Sequence, residues 1–342
     1  MKWRIQPVPN AQELLDFAFK GARLQTPDFS KKIRKKERWA KEIEKNKIEE
    51  VSGLLEERLK KTADSFPGFD KMPLFYRELL DASIGLEETR KELSFLKKRA
   101  HLIQRLKSAT IQQIFASVSV SKIRKLSQSF YGRVSSIVKK MDKELKKLEQ
   151  KRKQIQALPS IQTDAFTVLL AGFPNVGKTT LLNKLTGSEP RIASFPFTTQ
   201  NLKIGFFLVK FFSVQVIDTP GILDRPDDRR NPIEKKALAA LHHLGEMVLF
   251  LADPSLSSGF SLEQQAQLWK ELRQSFKTKK TRVVLTKTDL CSSQQLEEAN
   301  RLFPNAMVSS DPEAIKKEIT VSMKDWIEET KPDYSKPKPG TL

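Results

Sequence analysis

The run GFPNVGKTT places Gly172, Gly177, Lys178 and Thr179 at the spacing G-x-x-x-x-G-K-[ST]. The glycines let the backbone wrap so that successive N–H groups face one anion. A lysine closing such a wrap reaches the β and γ phosphates of a nucleotide, and the hydroxyl after it can ligate Mg2+. The loop Phe173, Pro174, Asn175, Val176, Gly177, Lys178, Thr179 and Thr180 is therefore a candidate phosphate cradle. Ordinary residue frequencies put a chance match at about one per cent for a chain of this size. A stray lysine in a glycine-rich turn would need neither a strand before it nor a helix after it, and this run has both.

The remaining parts follow in the order a GTPase requires. Asp218 ends an apolar run in DTPG, where its carboxylate can hold Mg2+ through water and the Gly221 N–H can sense a γ phosphate. Within the preceding FPFTTQ, Thr199 is preferred over Thr198 as the threonine that joins the metal when the γ phosphate is present. The metal candidates are thus Thr179, Thr199 and Asp218. TKTD decides the base. Asp289 can accept from guanine N1–H and N2–H2, which adenine cannot offer, while the Lys287 stem covers the purine face. Thr286 stands where this motif usually has asparagine, so one contact is shortened and weaker nucleotide affinity is expected. Ser309 or Ser310 can supply a backbone N–H to guanine O6. After Gly221 comes Ile222, where Ras-type hydrolases have a glutamine that orients the attacking water. Isoleucine neither bonds nor polarises water, which predicts slow intrinsic hydrolysis of GTP to GDP and phosphate.

These residues need a scaffold, and the apolar pattern supplies two. From residue 165 onward, AFTVLLAG, LKIGFFLV, FFSVQVID, EMVLFLAD, TRVVLTK and NAMVSS are short apolar runs of the kind buried in an α/β sheet. They predict a mostly parallel six-stranded sheet flanked by helices, with a hairpin around Lys210 contributing one antiparallel edge strand. Ser261 with Gln264 and Ser292 with Gln295 fit capping boxes, and Asp311 precedes Pro312 at a helix start. Ahead of residue 160 the pattern is helical. Ile123, Leu126, Phe130, Val134, Ile137, Met141, Leu145 and Leu148 make one stripe on a long helix, and Ile48, Val51, Leu55 and Leu59 make another, as do Leu86, Leu93, Leu96, Ala100 and Ile103. With a short helix near 11–24 and a break at FPGFDKMP, an all-α bundle over 1–160 is expected, a P-loop GTPase domain over 161–330, and a disordered tail over 331–342.

Charge is divided unevenly between these parts. Residues 1–160 hold 37 Lys+Arg against 20 Asp+Glu, whereas the rest holds 24 against 21, of a formal +20 overall. Residues 101–160 alone hold 14 basic against 3 acidic residues, and so forgo most of the i,i+4 pairs that a merely solvated helix gains. A polyanion partner is the expectation, with RNA, DNA and anionic lipid as candidates. Trp39 and Tyr131 could stack on bases, although packing within the bundle is the preferred account of them. The lone Cys291 excludes an internal disulfide, and no apolar run approaches the length that crosses a bilayer. A cytoplasmic protein without a membrane partner is expected. His242 and His243 have no metal-ligand spacing around them.

Several longer stretches, DTPGILDRPDDRRNPIE, FLADPSLSSGFSLEQQ and FPGFDKMPLFYRELL, resemble the Nog branch of the Obg-related GTPases, the nucleolar GTP-binding protein 1 family and its shorter archaeal relatives. The likeness runs from about residue 5 to 330. It implies a switch in assembly of the large ribosomal subunit, with large-subunit rRNA and the ribosomal proteins of the pre-ribosomal particle as partners, and a monomer off the ribosome. The eukaryotic members' long C-terminal extension is absent from this sequence. Resemblance to potassium-activated GTPases makes Asn175, three residues before Lys178, a candidate ligand for K+, so that Lys178, Thr199, Gly221 and Asn175 are the candidates for the chemical step. Arg225, Arg229 or Arg230 is the alternative source of positive charge; pairing with Asp224, Asp227 and Asp228 is their plainer role. The rival readings are an ATP-using P-loop enzyme, a nucleotide-independent RNA-binding scaffold and a peripheral membrane GTPase acting on another polyanion.

Overall fold

The computed structural model describes residues 3–24, 36–187, 189–193, 195, 201–225 and 232–330. Residues 3–69 and 84–156 cluster as one compact unit, and residues 70–83 join the chain from 157 onward in the other. Residues 70–83, counted with the N-terminal bundle on sequence grounds, cluster with the α/β unit.

The helical unit comprises α1 (Ala11–Leu24), α2 (Lys36–Ser65), α4 (Leu86–Ala116), α5 (Val120–Lys139) and α6 (Asp142–Gln156). Ile48, Val51, Leu55 and Leu59 of α2 are fully buried, as are Leu96, Ala100 and Ile103 of α4, each valine, leucine or isoleucine contributing about 1.5–3 kcal/mol if counted by area. The stripe from Ile123 to Leu148 does not lie on one helix. At Lys140 and Met141 the ladder tightens, with Met141 N–H donating to Val138 O, and a new helix begins at Asp142. The Asp142 carboxylate, at the start of α6, accepts the Ala11 N–H at the start of α1 (3.1 Å). Met141 stays buried and carries the apolar stripe across the step. Glu92, on the apolar side of α4, is buried with Lys151 at 2.8 Å. Tyr131 packs edge-on between Phe19 and Phe130, which makes it a packing residue of this unit.

In the other unit, β1 (Phe166–Ala171), β2 (Arg191–Ala193), β3 (Leu202–Val209), β4 (Phe212–Asp218), β5 (Met247–Ala252), β6 (Lys280–Leu285) and β7 (Met307–Val308) form one sheet in the order β2-β3-β4-β1-β5-β6-β7. β1 and β5 are buried at every residue, which is why they read as unbroken apolar runs. β4, β1, β5, β6 and β7 are parallel, whereas β3 is antiparallel to both its neighbours. The sheet has seven strands rather than six: the three-residue β2, mostly exposed, pairs outside β3 and takes the edge position expected of the hairpin. Around it stand α7 (Lys178–Thr186), α8 (Pro232–His242), α9 (Leu262–Ser275), α10 (Ser293–Leu302) and α11 (Pro312–Thr330). Both capping boxes form, and Asp311 accepts the Ala314 N–H. His242 stacks on Phe276 at 3.9 Å.

The helix α3 (Leu74–Ile84) is tied to the entry of β1 by one side chain. The buried Tyr76 hydroxyl accepts the Ile161 N–H at 2.9 Å and lies 3.0 Å from the carbonyls of Pro159 and Ile161. Burial holds its ionisation above the usual tyrosine range, against the lowering effect of the Ile161 bond.

Candidate nucleotide site

β1 delivers the chain into the loop at Gly172, whose φ is +129°. A Cβ there would stand 2.4 Å from the Leu251 carbonyl oxygen, so only glycine lets the loop leave the sheet at this angle. The loop then turns through Asn175 at φ 63° and Gly177 at φ 98° before α7 begins at Lys178. Buried Val176 and Phe173 anchor it, Phe173 by stacking on Phe260 at 4.0 Å, while Pro174, Asn175 and Thr180 are exposed.

Lys178 is buried beneath this loop, its Nζ donating to the carbonyls of Gly172 (2.7 Å) and Phe173 (2.9 Å). Burial pulls its ionisation below the usual lysine range, and the carboxylates of Asp218 and Asp224 oppose that shift. Thr179 Oγ1 donates to Asp218 Oδ2 at 2.6 Å, although the two residues lie 39 positions apart. They meet because β1 and β4 are parallel neighbours that end together. Asp218 Oδ1 is buried without a hydrogen-bond partner, an acceptor of the kind a metal-bound water would satisfy. Lys203, which was not singled out from the sequence, donates to Thr179 Oγ1 at 3.3 Å. A lysine opening a strand carried no signal until the strand register was known.

The segment after Asp218 folds back on the loop. Gly172 N–H donates to Leu223 O, Gly221 N–H to Asp224 Oδ2 (2.7 Å), and Arg225 to Gly221 O (2.9 Å). The Gly221 N–H is therefore engaged by a carboxylate in this arrangement, and Arg225 is held on the same turn. Ile222 is fully buried, so it serves as packing and does not face the loop's solvent side. Thr198, Thr199, Arg229 and Arg230 lie outside the described residues.

At the other end of the site, Asp289 is exposed in a short turn after β6. Thr286 is buried, with its hydroxyl donated to Ala252 O at 3.1 Å and its methyl facing Gly177. Lys287, at φ 51°, donates to Asp253 Oδ2 (2.9 Å) and Ser257 Oγ (2.8 Å). Asp253 was missed, although an aspartate after a buried strand with serines two and four residues on is a recognisable turn signature. Ser309 N–H is already bonded to Leu285 O, which leaves exposed Ser310 as the better placed of the two serines. Cys291 Sγ lies 3.3 Å from Lys287 O, and burial with the nearby Asp253 and Asp289 pushes its ionisation up.

Comparison with known proteins bears on the whole chain. The family description "NOG1 N-terminal helical domain" matches residues 3–162, and "Nucleolar GTP-binding protein 1 (NOG1)" matches residues 232–289. An uncharacterized protein of Methanocaldococcus jannaschii is 34% identical over 258 residues, covering 75% of this chain and 72% of its own. The chain belongs to the NOG1 family. Nucleolar GTP-binding protein 1 of Arabidopsis thaliana is 32% identical over 306 residues, 90% of this chain and 46% of its own. The Saccharomyces cerevisiae protein of that name is 31% identical over 299 residues, again 46% of its length, so this chain spans about half of these eukaryotic relatives. A solved NOG1 structure from Plasmodium falciparum is 28% identical with a TM-score of 0.42, covering 51% of this chain and 93% of that one. Among the described residues no helix of this NOG1 chain is long and apolar enough to cross a membrane.

Proposed function

We propose that the chain binds guanine nucleotide with Mg2+ and hydrolyses GTP slowly to GDP and phosphate, as a switch in large ribosomal subunit assembly that docks on rRNA through its helical unit. The observation that carries the nucleotide reading is the meeting of Thr179 and Asp218 at 2.6 Å beside a buried Lys178 under a glycine-turned loop. That donor set, two oxygens with one further carboxylate oxygen unpartnered, suits a hard divalent cation. Thr179 would ligate Mg2+ directly and Asp218 through water, with Thr199 proposed to join them; the bound ion neutralises charge on the phosphates. The loop N–H groups hold the phosphates, and Lys178 exchanges its own loop's carbonyls for phosphate oxygens. Asp289 and the Lys287 stem select guanine, with Ser310 N–H offered to O6.

Buried Ile222 cannot orient water, so the slow rate follows from packing. Asn175, exposed in the loop at φ 63°, is the residue proposed to share K+ with a phosphate as the missing positive charge. The polyanion reading is supported by α5, whose Lys122, Arg124, Lys125, Arg133 and Lys139 are exposed and make no ion pair among the described residues. Those of α6, in contrast, largely pair: Lys146 with Asp142, Lys151 with Glu92, Arg152 with Glu149.

Competition of GTP, GDP and ATP for a fluorescent GDP analogue tests the first part; displacement by ATP as strong as by GDP refutes it. Single-turnover hydrolysis in KCl against NaCl tests Asn175, and equal rates remove its role. Crosslinking to RNA in cells, with wild type and Lys178→Ala, tests the last part: contacts are expected on large-subunit rRNA, whereas scattered mRNA contacts point to another client.

A further inference from the structure

Two side chains already occupy bonds that a nucleotide and its metal would need. Thr179 Oγ1 gives its proton to Asp218 Oδ2, and a lone pair of the same oxygen accepts from Lys203 Nζ at 3.3 Å. Strand register puts Lys203 there: on antiparallel β3 it is the Cα partner of Asp218 on β4, and directly opposed residues project from the same face of a sheet. On the other side of the loop, Asp224 Oδ2 takes the Gly221 N–H at 2.7 Å, and its charge acts on buried Lys178 together with that of Asp218. A cation thus sits on the metal-ligating hydroxyl, and an anion sits on the N–H that senses the γ phosphate.

We propose that Lys203 and Asp224 are internal counterparts of Mg2+ and of the γ phosphate, and that they set the chain's metal affinity and its discrimination between nucleoside tri- and diphosphate. This rests on the nucleotide reading above. Thr179 Oγ1 keeps a second lone pair, but an ammonium 3.3 Å from that oxygen would repel a divalent cation bound to it, so each Mg2+ that binds must drive Lys203 away, whichever nucleotide is present. The Gly221 N–H cannot serve a carboxylate and a phosphate oxygen together. GDP has no γ phosphate and leaves that bond alone, whereas GTP must break it. Lys203 therefore weakens the metal with either nucleotide, and Asp224 weakens the triphosphate alone. If Lys203 were only a cross-strand neighbour and Asp224 only a cap on its turn, neither binding constant would move.

The full chain, stripped of nucleotide, is titrated with fluorescent GDP and a non-hydrolysable GTP analogue, and the GDP complex is then titrated with buffered Mg2+. Lys203→Met is expected to tighten Mg2+ about ten- to hundredfold, the equilibrium worth of one charge-assisted hydrogen bond. Asp224→Ala is expected to raise the triphosphate-to-diphosphate affinity ratio by about tenfold, with GDP affinity little changed. Lys203→Gln and Asp224→Asn keep side-chain size without charge, and are expected to shift the same constants in the same direction by less. Unchanged constants in variants of a wild type that binds GDP overturn this proposal alone, as does weaker Mg2+ in Lys203→Met. A shift in only one constant overturns the role given to the other residue. A wild type that binds no guanine nucleotide overturns the nucleotide reading, and this proposal falls with it.

Discussion

Asp253 carries more of the site than its silence in the motifs suggests, and Asp253→Ala is the sharpest probe of that. Its carboxylate is fully buried and accepts from Ser255 N (3.0 Å), Ser255 Oγ (2.5 Å), Ser257 Oγ (3.1 Å), Ser258 N (2.9 Å) and Lys287 Nζ (2.9 Å). Alanine would leave two backbone N–H groups and a partly buried ammonium without their acceptor. Breaking a buried charged pair of this kind costs about 3–5 kcal/mol. In a unit of 150–250 residues each kcal/mol moves the melting point by about 2–4 °C, so the α/β unit should melt about 10 °C lower. Because Lys287 keeps only its bond to Ser257, GDP affinity should fall together with stability, by about tenfold for a lost charged hydrogen bond. The pH dependence adds a second reading. Burial alone would raise the Asp253 ionisation, but bonds from Ser255, Lys287 and Ser257 outweigh it and hold it below the ordinary value of 3.8. A carboxylate depressed in the fold contributes stability above its ordinary value and loses it as pH falls through the folded one. Wild type should therefore lose part of its stability advantage over Asp253→Asn only below about pH 4. Thermal unfolding by circular dichroism, with nucleotide titration of the same samples, decides the matter. A melting point for Asp253→Ala within 2 °C of wild type refutes the reasoning.

Three other changes have definite expected outcomes. Gly172→Ala meets the Leu251 carbonyl at 2.4 Å with a φ that favours glycine, and should abolish fluorescent GDP binding before it unfolds the helical unit. Thr286→Asn puts an amide beside Gly177 and should tighten GDP by about tenfold at equilibrium; unchanged or weaker affinity in a fluorescent GDP titration refutes the role given to Thr286. Lys151→Met leaves buried Glu92 without its close partner and should cost the helical unit about 3–5 kcal/mol in denaturant unfolding, while Lys146→Met on the surface should cost less than 1 kcal/mol.

The parts legible in the sequence are those whose physics is local. A loop that must wrap an anion needs glycine at fixed spacing, so Gly172, Gly177, Lys178 and Thr179 were visible directly, as were the capping boxes at Ser261 and Ser292. Strands buried on both faces declare themselves as apolar runs, which is why β1 and β5 were unmistakable while exposed β2 was not. What stayed hidden depends on long-range register. Lys203 matters only because β3 runs antiparallel to β4, and Asp253 only because β5 and β6 bring it to Lys287. The break at Lys140 was masked because Met141 keeps the apolar period intact.

The helix α3 is encoded between two helices of the other unit, yet its Tyr76 hydroxyl closes on the backbone at Ile161. During synthesis that helix emerges some 75 residues before its anchor, roughly 4–15 s at ordinary elongation rates. Over that interval the Tyr76 hydroxyl lacks the Pro159 and Ile161 backbone groups that it meets in the fold. A fragment beginning at residue 161 would inherit the opposite defect, a nucleotide-binding sheet missing the helix that fastens its first strand.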